Sequence, residues 1–117
     1  MINYFKNQKN FCIDIEGALN RLGNNHELYN RILHKYLEDC SCNNYIKAIE
    51  QEDYDNAERH IHSLKGVAAN LGFICLENIS GRILDALRVK EYQNIEVYTE
   101  KLWREEKKII EIIQNFH

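Results

Sequence analysis

None of the 117 residues is proline and only five are glycine, so the chain lacks most of what interrupts a helix. That scarcity predicts an all-α fold. With 44% apolar and 28% charged residues, the chain is large enough to bury a core without disulfides or a structural metal. One domain over residues 1–117 is therefore expected.

The apolar spacing divides the chain into helices. Asp14 is placed to cap a short first helix over about 14–22, with Ile15, Ala18, Leu19 and Leu22 on one face and Gly23 as its stop. Asn24 or Asn25 opens a longer helix to about Asp39, whose apolar face carries Leu28, Tyr29, Ile32, Leu33, Tyr36, Leu37 and Cys40. The polar run Ser41 to Asn44 breaks the pattern, and Tyr45, Ile46 and Ile49 mark a short helix ending near Glu52. Asp53 caps the most regular segment, in which Ala57, Ile61, Leu64, Ala68 and Leu71 precede Gly72.

Phe73, Leu76, Ile79, Ile83, Ala86 and Leu87 form the next helix, and Tyr92 to Asn94 the next connection. Ile95, Tyr98, Leu102, Trp103, Ile109, Ile110, Ile112, Ile113 and Phe116 mark a long last helix, with Trp103 and Tyr98 expected inside. The charge run Arg104 to Lys108 reads as a solvated face. Short connections imply antiparallel neighbours. The expected architecture is an up-and-down antiparallel four-helix bundle over about 25–116, with additional short helices at its start.

Several functions are excluded or disfavoured at this level. A formal charge of -3 offers no basic field for nucleic acid or anionic lipid, so proteins are the expected partners of a monomeric chain. No apolar run approaches the roughly 18 residues of a membrane span, and MINYFKNQKNF lacks the apolar stretch of a signal peptide. A cytoplasmic location follows as an expectation, and with it reduced thiols at Cys12, Cys40, Cys42 and Cys75. The sequence contains no P-loop and no carboxylate pair arranged for acid/base work, so it gives no support for ATP binding or kinase activity.

One side chain carries the chemistry. On a helix centred on Ala57, Ile61, Leu64, Ala68 and Leu71, His62 projects about 140° from the core, whereas His60 falls about 60° from it on the other side. Lys65 at about 80°, Ala69 at about 120°, Asp55 at about 160° and Gly66 at about 180° share the face of His62. Glycine inside a helix costs about 1 kcal/mol relative to alanine, and clearance for an approaching protein is the simplest compensation at Gly66. Ala69 extends the flat area. Lys65, at i+3, brings a mobile cation to any anion attached to the ring. A neutral imidazole is nucleophilic near pH 7, and a phosphoryl group taken from an aspartyl phosphate must stay accessible to be handed on.

The run HSLKG from His62 to Gly66, followed by VAANLG to Gly72, resembles the signature of histidine phosphotransfer (HPt) domains of bacterial hybrid sensor kinases and multistep phosphorelays. The likeness extends over roughly Ile13 to Leu87, since IDIEGALNRLGNNHELYNRILHKYLED resembles the segment preceding the motif in such domains. It implies a helical bundle in which His62 accepts the phosphoryl group, Lys65 assists it and Gly66 leaves room for a receiver domain. The implied partners are receiver domains of response regulators or of a hybrid sensor kinase. No cofactor is implied on this chain, and Mg²⁺ is expected on the receiver. Asp85 stands where related domains often carry Glu after Leu, which shortens a carboxylate.

The alternative is a metal-binding or purely scaffolding bundle. His60-Ile61-His62 and Cys40-Ser41-Cys42 look like paired ligands. Helical residues at i and i+2 point about 200° apart, however, whereas chelating histidines on one helix sit at i, i+3 or i+4. Cys40 and Cys42 have no evident second pair of ligands in the sequence, and ordinary thiols are the simpler reading.

Overall fold

The computed structural model describes residues 13–114. Six α-helices follow one another among them: α1 (Ile15–Arg21), α2 (His26–Lys35), α3 (Ser41–Glu50), α4 (Tyr54–Leu71), α5 (Ile74–Arg88) and α6 (Ile95–Gln114), with a 3-10 turn over Tyr36–Glu38. Met1 to Cys12, and Phe116 in the expected last helix, lie outside the described residues. No helix among the described residues is long and apolar enough to cross a membrane.

The helix ends follow from local chemistry. The carboxylate of Asp14 accepts from the Gly17 amide at 2.9 Å, the Asn25 side chain from Leu28 at 3.0 Å, and Asp53 from Asn56 at 3.3 Å, each meeting an orphan donor of a first turn. Gly72 ends α4 in the left-handed region at φ 78°. A side chain there is excluded twice, because its Cβ would also stand 2.3 Å from the Asp14 carbonyl oxygen. That contact belongs to a short backbone pairing, in which the Asp14 amide donates to the Gly72 carbonyl at 2.7 Å.

Helix α4 packs against α3 on one side and α5 on the other, and α6 returns against α5 and touches α2 and α3. Two residues separate α4 from α5 and three separate α3 from α4, so each of these packed pairs turns straight back on itself. The result is a helical bundle with α1 and α2 seated at the end of α4. One core runs through it, from Ile15 through Tyr29, Leu64 and Phe73 to Ile113.

Four expectations need correction. The polar run Ser41 to Asn44 does not break a helix but begins α3, with Cys42, Tyr45 and Ala48 buried on one face and Ser41 held by Asp39 at 2.8 Å. The break comes earlier: α2 stops at Lys35, a 3-10 turn replaces its expected last turn, and Cys40 is exposed rather than apolar-facing. In α6, Trp103 lies outside, 44% exposed with the Lys107 ammonium 4.1 Å from its ring centroid, while Glu106 from the supposedly solvated charge run is buried. Finally, Cys75 is disulfide-bonded whereas Cys40 and Cys42 are free, so the expectation of reduced thiols throughout fails at Cys75.

Candidate functional site

The five apolar residues read from the spacing of α4, Ala57, Ile61, Leu64, Ala68 and Leu71, are all buried. They fix the rotation of the helix, since Ile61 and Leu64 are both fully enclosed on either side of His62 in sequence. His62 consequently stands exposed on the opposite face, and His60 is half-buried at the edge. The two histidines do not share a direction. Among the described residues no group of three or more His, Cys, Asp or Glu side chains is arranged to hold a metal.

Around His62 the structure gathers the residues expected there. Gly66 is exposed, Ala69 and Lys65 are half-buried, and Asp55 is exposed in the first turn of α4. Gly66 has an ordinary helical φ, and a Cβ built on it meets nothing within 4 Å. Neither backbone strain nor crowding within the chain requires glycine there, so the open space lies toward whatever approaches from outside. The carboxylate at i−4 from His62, Glu58, is held by Arg88 of α5 at 3.0 Å, which offsets its charge near the imidazole. His62 itself makes no hydrogen bond or ion pair with another described residue. Its exposed side chain leaves the ring open to an approaching partner.

The far end of α4 is braced by the N-terminal helices. Arg21 donates to the Ala69 carbonyl at 2.6 Å and the Asn70 carbonyl at 3.4 Å, and the Tyr29 hydroxyl donates to the Leu71 carbonyl at 2.9 Å. These carbonyls belong to the last turn of α4, where intrahelical donors run out, and a guanidinium there also suits the helix dipole. The flat patch ending at Ala69 is thus held from behind by α1 and α2.

A family model described as the Hpt domain matches residues 9–106. The chain belongs to the Hpt domain family. Hpt domains are phosphocarriers rather than kinases; they act by histidine phosphotransfer in phosphorelays and interact there with receiver domains. Comparisons with curated proteins and with solved structures return no match. The matched region of this Hpt domain spans α1 to α5 and α6 as far as Glu106, and so includes the whole surface around His62.

Sequence reasoning missed the contribution of α5 to this Hpt domain's surface. Lys65 does not extend freely into solvent but borders a hollow with Glu77, Asn78, Gly81, Arg82 and Asp85. The signal was available, because Gly81, like Gly66, is a glycine inside a helical pattern and costs stability there unless its missing side chain is used.

Proposed function

We propose that His62 is the phosphoacceptor of this Hpt domain, taking a phosphoryl group from a receiver-domain aspartate and passing it to another receiver. The observation that carries this reading is the coincidence, on one exposed face of α4, of an imidazole without internal partners, a lysine at i+3 and a glycine at i+4 with open space above it.

The chemistry follows from that face. The lone pair of an imidazole nitrogen attacks phosphorus, and the bond to the aspartyl oxygen breaks with its electron pair left on the carboxylate. The proton on the other ring nitrogen passes to water as the positive charge on the ring is relieved. Lys65 balances charge on the transferred group, and Gly66 and Ala69 let the receiver backbone come close. Attack and departure use the same exposed nitrogen, so the reaction runs in either direction according to which receiver is loaded. The divalent cation of the step belongs with the receiver's aspartate, and this chain supplies the nucleophile, the lysine and the clearance.

Incubation with a phosphorylated receiver domain tests the assignment. Acid-labile, base-stable label is expected on His62, absent from His62→Gln and retained in His60→Gln. Label that survives His62→Gln would overturn it.

A further inference from the structure

Two glycines near Lys65 lie inside helices, Gly66 on its own helix α4 and Gly81 on the neighbouring α5, and neither has a positive φ. Glycine in such a position is unfavourable relative to alanine unless its missing side chain is used. Gly66 gives clearance to an outside partner. Gly81 faces inward, toward this chain's own chemistry: a Cβ on it would meet Lys65, with Cε at 3.6 Å and Nζ at 4.0 Å. The Lys65 stem therefore crosses from α4 and lays its ammonium over the bare backbone of α5.

How the ammonium is held matters as much as where. Glu77 and Asp85 border the same hollow as Lys65, and Arg82 borders it with like charge, yet Lys65 forms no ion pair with any described residue. It is lodged by shape and by the packing of its methylenes rather than by a carboxylate. A paired lysine would resist being drawn away, whereas one resting over a glycine is released by any stronger anion one helical turn distant.

We propose that Gly81 is a positioning residue: it provides a berth that holds Lys65 against α5 while His62 is unmodified and frees it when His62 carries a phosphoryl group. The inference rests on the reading of His62 as the phosphoacceptor. A dianionic phosphoryl group at i−3 offers Lys65 the attraction that the berth lacks. An ammonium beside that group disfavours protonation of the ring, and ring protonation is what makes the nitrogen a good leaving group. In hydrolysis, a water oxygen bonds to phosphorus as the P–N bond breaks. The electron pair returns to the ring nitrogen, which takes up a proton, and inorganic phosphate departs. The depth of the berth thereby sets how long phosphohistidine lasts.

The full chain, loaded with phosphoramidate as a small phosphoryl donor, gives the test. Magnetic resonance should detect proximity of the Lys65 ε-protons to the Gly81 α-protons before loading and lose it afterwards. Absence of that contact in the unloaded protein, or its persistence after loading, overturns the proposal. Gly81→Leu fills the berth, and the phosphohistidine half-life is expected to rise about two- to fourfold, the scale of one exposed charge pair. In a Lys65→Ala background the same change should have no effect; an equal effect in both backgrounds would show that Gly81 acts through helix packing and would overturn the proposal. Should Gly81→Leu fail to fold, Gly81→Gln, at the same half-buried position, must lengthen the half-life in its place, while Gly81→Ala, whose Cβ only reaches ordinary contact with Lys65, should leave it unchanged. Failure of His62 to take label from phosphoramidate would be visible before any half-life is compared, and would remove the phosphoacceptor reading and this inference together.

Discussion

The Tyr36 hydroxyl donates a hydrogen bond to the Glu106 carboxylate inside the bundle, tying the turn after α2 to the middle of α6. Both residues are buried. Burial pushes the Glu106 carboxyl above its ordinary range, the Tyr36 hydrogen bond draws it partly back, and Asp39 raises it further. The Tyr36 phenol is in turn pushed up by burial and by Glu106.

Removing the hydroxyl while keeping the ring, as in Tyr36→Phe, leaves a buried carboxylate without its donor. A loss of about 1–3 kcal/mol in unfolding free energy is expected, measured by chemical denaturation. Because the folded-state value of Glu106 is raised, its contribution is fully present below the unfolded value near 4.5 and is lost as pH rises through the folded one. Over that window the folded protein holds a proton that the unfolded chain releases, so stability declines with rising pH. Glu106→Gln should flatten this part of the pH profile, and an unchanged slope would refute the assignment.

The two free cysteines among the described residues differ in environment. Cys42 is buried, and its thiol is pushed up to about 12 by burial, with Glu106 and Asp39 adding to the shift. Cys40 is exposed. Alkylation of the native protein near pH 8 should label Cys40 and spare Cys42, since only a thiolate with access reacts. Unfolding should expose both, and mass spectrometry of the labelled chain reads the result directly.

Arg21 braces α4 through the Ala69 and Asn70 carbonyls. Its loss in Arg21→Ala is expected to cost about 0.3–1 kcal/mol, the scale of a cation at an exposed helix C-terminus. Amide exchange should rise at Gly72 and Phe73, whose N–H groups close the last turn of α4 onto the Ala69 and Ala68 carbonyls. Arg21→Lys retains charge but not the forked geometry, and should recover only part of the loss.

What the sequence made legible was local. Asp14, Asn25 and Asp53 cap the helices they precede, and Gly72 ends α4, because a cap acts on donors and acceptors a few residues away. The direction of His62 was legible for the same reason, being set by the period of Ala57 to Leu71. The misreadings arose where distant packing decides. Leu102, Ile109 and Ile113 of α6 define a buried stripe on which position 106 also falls, and Tyr36, seventy residues earlier, donates the hydrogen bond that makes a glutamate acceptable there. Trp103, about 90° from the centre of that stripe, falls at its exposed edge. At the start of α3, Cys42 serves as the first apolar contact of a helix whose other early residues are polar, which the polar appearance of Ser41 to Asn44 concealed.

Gly66 separates folding from function. Because its Cβ would meet nothing within 4 Å and its φ is helical, Gly66→Ala should stabilise the bundle by about 1 kcal/mol. Gly66→Gln should also be tolerated by the isolated domain, since its side chain extends from an exposed site. Transfer from a receiver is expected to move the other way. About 1.4 kcal/mol of overpacking against an approaching backbone slows it about tenfold, with Gln worse than Ala. Denaturation and single-turnover transfer measured on the same preparations would give opposite signs. If Gly66→Gln transferred at the unmodified rate, the open space above α4 would have no bearing on receiver approach. If it unfolded the domain, the glycine would be serving the bundle rather than the partner.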